Sequence, residues 1–185
     1  MKIVVGISGA SGAIYGIRLL EELKKRGVET HLILSDWGRR TIETETDYTA
    51  EQVIAMSDVF YEIHDMAAAV SSGSFPHDGM VVAPCSMKTL AAIASGYTDN
   101  LISRAADVCL KEQKKLILIT RESPLSLIHM ENMLRAARAG AMIVPPSPAF
   151  YNRPKTLDDI VNHTVSRVLD HLNIPNDLTT RWSGE

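Results

Sequence analysis

Only two cysteines, Cys85 and Cys109, stand among 185 residues, and the six histidines form neither an H-x-x-x-H pair nor a Cys/His ligand spacing. A disulfide framework and a bound metal are therefore not expected. Positive charge is not in excess: 19 Lys and Arg against 22 Asp and Glu give a net charge of −3, with no basic block. The electrostatic footprint of a nucleic-acid binder is missing. No apolar run is long enough to cross a bilayer, and the first residues enter a strand pattern with no sign of a signal peptide. The expectation is a cytoplasmic protein that engages neither membrane nor nucleic acid. No long Pro/Ser-rich linker divides the chain, and 45% apolar content is ample for a core. One domain over residues 1–185 is expected.

What the chain does have is a distinctive opening, Lys2-Ile-Val-Val-Gly-Ile-Ser-Gly-Ala-Ser-Gly-Ala13, which reads as strand, tight loop and helix. Gly6, Gly9 and Gly12 let the loop backbone close on a ligand, above a helix N-terminus that favours negative charge. The dinucleotide fingerprint G-x-G-x-x-G would need glycine where Ser8 stands, whereas Ser8 and Ser11 offer hydroxyls suited to a terminal phosphate. A mononucleotide is favoured over a dinucleotide. The rival reading rests on Asp36, an acidic residue after the second strand where a dinucleotide fold would hold a ribose.

Along the chain, β-rich runs alternate with helical patterns, which predicts an α/β fold with a parallel sheet covered on both faces, in the Rossmann-like (flavodoxin-like) three-layer αβα arrangement. Five strands are expected, over residues 2–7, 29–34, 79–83, 115–120 and 141–144. Helices are expected over 13–26, 37–44, 87–95 and 126–139. Thr49-Ala-Glu-Gln52 is a capping box, Asp99 or Asn100 caps a helix that carries Arg104 and Lys111 on one face, and Thr156 opens a last helix holding His163 and Arg167. The polar groups Ser8/Ser11, Ser35, Ser86/Thr89 and Arg121/Glu122 all follow strands, so they gather at the carboxyl edge of the sheet, where open α/β sheets bind ligands. A phosphate-bearing planar cofactor is expected there.

The motifs Ser8-Gly-Ala-Ser-Gly-Ala13 with Tyr15-Gly16, Glu43-Thr-Glu-Thr-Asp47, Ser72-Gly-Ser-Phe75, Pro84-Cys-Ser86, Arg104-Ala-Ala-Asp-Val108, Lys111-Glu112, Arg121-Glu122, His129-Met-Glu-Asn-Met-Leu134 and Ala149-Phe-Tyr151 occur in order over nearly the whole chain. In these the sequence resembles the UbiX-type flavin prenyltransferases, of the homo-oligomeric flavin-containing decarboxylase-like fold. Pro84-Cys-Ser-Met-Lys-Thr89 and Pro145-Pro-Ser-Pro-Ala-Phe-Tyr-Asn152 are similar to the branch associated with hydroxyarylic acid decarboxylases, as their B subunit.

The resemblance implies transfer of dimethylallyl from dimethylallyl monophosphate to N5 and C6 of reduced FMN, giving prenylated FMN for a UbiD-type decarboxylase. It implies that Gly9, Ala10, Ser11, Ser35, Ser86, Met87, Lys88, Thr89 and Arg121 hold FMN. Lys111, Tyr151, Arg167 and Arg104 would hold the prenyl phosphate, with Glu122, Glu45, Lys111 and Ser11 in catalytic roles. It further implies a homododecamer, with the Pro-rich arm 145–154 and the tail 173–185 at subunit interfaces. Met87-Lys88 departs from the Thr-Gly of many members and puts a cation near the flavin loop. Two rivals share the fold: an FMN-dependent cysteine-type decarboxylase, which would show a Pro-Ala-Ser-Ala-Asn-Thr loop, and a non-catalytic FMN-binding subunit, which would not need Lys111, Tyr151 and Arg167.

Overall fold

Alternation of buried β-branched and aliphatic residues with capped helical stretches organises the first part of the chain. In the computed structural model, which describes residues 1–184, this yields six parallel strands. They are β1 (Lys2–Ile7), β2 (Glu29–Leu34), β3 (Val59–Glu62), β4 (Gly79–Cys85), β5 (Lys115–Thr120) and β6 (Ala141–Ile143). The helices between them are α1 (Ala13–Lys25), α2 (Asp36–Glu45), α3 (Ala50–Ile54), α4 (Met87–Ser95), α5 (Leu101–Lys111) and α6 (Leu127–Arg138). Glu185, the last residue of the tail expected at an interface, lies outside the described residues.

The sheet order is β3-β2-β1-β4-β5-β6. Five of these strands were expected, and without β3 they would form the five-stranded flavodoxin-like order. The sixth, Val59-Phe-Tyr-Glu62, extends that sheet by one edge strand hydrogen-bonded only to β2. Runs such as Val81, Val82 and Ala83 are buried on both faces of the sheet, as parallel strands require. On one face Val4, Ile33, Met80, Val82, Leu116 and Leu118 cluster with Leu90 and Ile93 of α4 and with Ile102, Ala105 and Ala106 of α5. On the other, α1 packs on β1, β2 and β4 with Ile17, Leu20 and Leu23 fully buried. A side chain at Gly16 would run into the Ala83 carbonyl and lie 2.9 Å from the Ile7 side chain, so the absent Cβ lets α1 sit close to the sheet.

Helix starts follow the sequence closely. Ser35, Ser86 and Asn100 accept from backbone N–H groups of Gly38, Thr89 and Ser103, while Thr49 with Gln52 and Ser126 with His129 form capping boxes. Asp36 is thus the first residue of α2, behind a serine cap.

The residues fall into two compact units, Met1–Pro145, just described, and Pro146–Glu185. The second contains α7 (Leu157–His171), opened by a Thr156 and Asp159 capping box. Arg181 returns to Asp170 with two hydrogen bonds at 2.7 and 3.0 Å, and these hold the Asp170 carboxyl below the usual range. Tyr151 meets His163 at 3.2 Å between its hydroxyl and Nε2, and meets Trp182 edge-on at 5.9 Å.

Candidate functional site

β1 and β4 are neighbours at the centre of the sheet, and the chain leaves them toward opposite edges. That topological switch point opens a crevice beyond the strand ends. Its floor is a clasp between two loops. Ser8, buried directly after β1, donates its hydroxyl to the Pro84 carbonyl at 2.8 Å and accepts from the Ser86 N–H at 2.8 Å. The phosphate-binding hydroxyl expected at Ser8 is therefore corrected: both of its hydrogen-bonding directions are spent in joining the loops after β1 and β4.

Above the clasp lies a cavity of about 230 Å³ whose lining includes Gly9, Ser35, Trp37, Ser86, Lys88 and Thr89. The N-termini of α2 and α4 both meet this wall, at the caps Ser35 and Ser86. Two helix starts and the Lys88 cation provide for an anion at one end. Ile63, Ala92 and Ile102 offer apolar surface in the same cavity. At the same sheet edge the Thr120 hydroxyl is buried with no hydrogen-bond partner, opposite Cys85 in the strand register. A polar end, an apolar wall and an unpaired buried hydroxyl fit a flavin mononucleotide. Sequence reasoning did not find His64, which faces Asp36 at 3.8 Å on the cavity lining; Asp36 and Asn100, read there as a possible ribose ligand and a helix cap, line the same cavity. Only the third strand, missed in the sequence, would have placed His64 at a strand end.

The first loop behaves differently from expectation at one point. Gly12 caps α1 with a φ of 100° and no side-chain bond. The carboxylate of Glu45 fills that place, accepting from the N–H of Gly12 at 2.7 Å and of Ala13 at 3.4 Å. The anion cradle predicted above α1 is occupied by the chain's own carboxylate. The attraction is the one foreseen, an anion at a helix N-terminus, with a different anion. Glu45 is thereby fixed at the end of the loop that carries Ala10 and Ser11.

Arg104 and Lys111 share one face of α5. Arg104 donates from Nε to the Ser71 carbonyl at 3.1 Å and from its guanidinium to Asp107 at 3.1 Å, while Lys111 pairs with Glu112. Arg121 and Glu122 follow β5 at the carboxyl edge, both exposed, with the Glu122 carboxylate accepting from the Ser123 N–H at 3.0 Å. The Met87 side chain packs against the hydrophobic core and does not line the cavity; its neighbour Lys88 does. In the second unit Tyr151 and Arg167 are both exposed, and Arg167 pairs with Asp170 at 3.1 Å. Cys85 and Cys109 are buried free thiols; burial pushes the Cys109 thiol up to about 12 and Cys85 higher still, so neither is a nucleophile at neutral pH.

Residues 1–169 match the family model described as Flavoprotein. The chain is 53% identical over 185 residues to the flavin prenyltransferase LpdB of Lactiplantibacillus plantarum, covering all of this chain and 99% of that one. Among solved structures, it is similar to AnUbiX (PadA1) in complex with FMN and dimethylallyl pyrophosphate, with a TM-score of 0.98 and 52% identity, covering 100% of this chain and 98% of the other. It is similar also to a dodecameric FMN-dependent UbiX-like decarboxylase from Escherichia coli O157:H7, with a TM-score of 0.97 and 55% identity over the whole of both chains.

Proposed function

The chain belongs to the flavoprotein family and, within it, to the flavin prenyltransferases, and from that premise we propose that it transfers dimethylallyl from dimethylallyl monophosphate to reduced FMN. The product is prenylated FMN, made for a UbiD-type decarboxylase. The observation that carries this reading is the switch-point cavity, with its two helix N-termini, Lys88 and apolar wall.

Reduced FMN, when bound, would supply the nucleophilic N5 and C6, which bond two different carbons of the dimethylallyl group as the phosphate leaves. The protein's part is binding, charge and protons. Gly9, Ala10, Ser11, Ser35, Ser86, Met87, Lys88, Thr89 and Arg121 hold the flavin, Met87 through its backbone at the α4 N-terminus. Arg104, Lys111, Tyr151 and Arg167 hold the prenyl phosphate, so that positive charge meets the negative charge developing as the allylic C–O bond breaks. Glu122 accepts and returns protons, and Glu45, held at the first loop, does so beside Ser11. The two units of the chain serve as one flavoprotein domain, in the cytoplasm, assembled as a homododecamer with the Pro-rich arm 145–154 and the tail at subunit interfaces.

The test is anaerobic incubation of the protein with FMN, a reductant and dimethylallyl phosphate, followed by mass spectrometry of the released flavin. A flavin heavier by one C5 unit is expected. Unmodified FMN, together with loss of carbon dioxide from a cysteine-terminated peptide, would overturn the reading in favour of the decarboxylase.

A further inference from the structure

The two cations of α5 are tied to one loop. Arg104 reaches the carbonyl of Ser71, and two residues on, Gly73 lies against the Lys111–Glu112 pair. A Cβ built on Gly73 would stand 2.6 Å from the Lys111 ammonium nitrogen and closer still to the Glu112 carboxylate. Gly73 does not have the positive φ that glycine alone tolerates, so its backbone imposes no need for glycine. Space for the ion pair does. The loop is itself braced: Ser72 and Ser74 hydroxyls meet at 2.9 Å, and Lys114 donates to the Phe75 carbonyl at 2.9 Å.

A lysine ammonium on four rotatable bonds samples a wide volume unless something holds it. The Glu112 carboxylate does so here, and the hydrogen bond from Lys111 in turn holds the Glu112 carboxyl below its usual range. With Arg104 paired to Asp107 as well, each cation of the face carries one carboxylate partner on or at the end of its own helix.

We propose that Glu112 and Gly73 are positioning residues for Lys111, the carboxylate drawing the ammonium against the Ser71–Phe75 loop and the missing side chain at 73 leaving the space it occupies. The inference rests on the reading of Lys111 as a ligand of the prenyl phosphate. A lysine held in place before substrate arrives binds it with less ordering left to do, so the effect belongs to substrate affinity.

The decisive variant is Gly73→Ala in the full chain. Its methyl meets only the far ends of flexible side chains, so the chain folds and the ion pair is displaced. The expected result is a rise of about fivefold or more in KM for dimethylallyl phosphate, with FMN affinity and the denaturation midpoint unchanged. Glu112→Ala should behave likewise, and Glu112→Gln, which keeps an acceptor oxygen, should restore most of the affinity. On a Lys111→Ala background, Gly73→Ala should add nothing further. If Lys111→Ala raises KM while Gly73→Ala and Glu112→Ala leave it at the wild-type value, the positioning inference is overturned alone. If Lys111→Ala leaves KM and kcat untouched, the assignment of Lys111 to the phosphate falls, and the inference with it.

Discussion

The Glu45 carboxylate, at the last position of α2, sits 2.7 Å from the N–H of Gly12 at the first turn of α1, thirty-three residues away in sequence. One side chain therefore caps α1 and joins it to the end of α2. Glu45→Ala should lower stability by roughly 0.3–1 kcal/mol, the usual range for an exposed anion at a helix N-terminus, read as a shift of the urea midpoint. Prenyl transfer should fall further than that shift explains. Glu45→Gln should recover stability only in part, since the amide keeps the acceptor and loses the charge; full transfer activity in Glu45→Gln would remove Glu45 from proton handling.

Ser8→Ala breaks the clasp between the loops after β1 and β4, leaving the Ser86 N–H and one Pro84 acceptor position unpaired in a buried place. About 1–3 kcal/mol of stability should be lost. Because the same clasp fixes the start of α4, FMN affinity should drop in calorimetric titration as well. A variant that binds FMN normally would mean that α4 is held by its other contacts.

Arg167→Ala and Ser11→Ala should fail for different reasons. On the function proposed above, the first removes a charge-assisted bond to the prenyl phosphate, worth about 1.5–3 kcal/mol, so transfer should slow by at least roughly tenfold while FMN binding survives. The second should weaken FMN itself. Wild-type rates for Arg167→Ala at subsaturating dimethylallyl phosphate would strike it from the clamp.

His77 gives the protein an acid limb. It is buried, with Nδ1 at 3.2 Å from the Gly79 carbonyl, and burial holds its pKa below the usual value, assisted by the Lys114 charge and by His31, against the opposing pull of that carbonyl and of Asp78. Below pH of about 6.5 the unfolded chain takes up a proton that the folded chain refuses until its lower pKa is reached. Stability is thus intact above about pH 6.5 and declines as pH falls through that window. Urea midpoints at pH 7.5 and 5.0 should diverge more for the wild type than for His77→Gln; equal divergence would place the acid sensitivity elsewhere.

The fold was legible wherever its signals were local. The caps read at Thr49 and Thr156 are short-range chemistry written in neighbouring residues, as are the glycines that follow three of the helices, Gly27, Gly96 and Gly140, all with positive φ. β3 was not legible, because three half-buried residues and an exposed Glu62, paired on one side, carry neither the length nor the apolar density of a central strand. Ser8 was misjudged for a related reason: its partners Pro84 and Ser86 lie 76 and 78 residues away, and a serine beside glycines looks the same whether it meets a phosphate or a carbonyl. The carboxylate cluster 43–47 held one member, Glu45, with a partner on another helix, which no spacing rule can single out.

The central strand pair also sets a timetable for synthesis. Ile3 of β1 lies opposite Gly79 of β4, so β1 acquires its second neighbour only after the chain has grown through α1, α2, α3 and two further strands. At about 5–20 residues per second, the interval between completing β1 and completing β4 lasts roughly 4–16 s, during which a strand that is apolar apart from Lys2 keeps one edge of unpaired backbone groups open on the nascent chain. Long-range parallel pairing of this kind is slow and exposed to aggregation. Heterologous expression should therefore respond to lower temperature or added chaperone more than the stability of the finished protein would suggest, and a pause in translation between residues 34 and 79 should cost more soluble protein than one after residue 120.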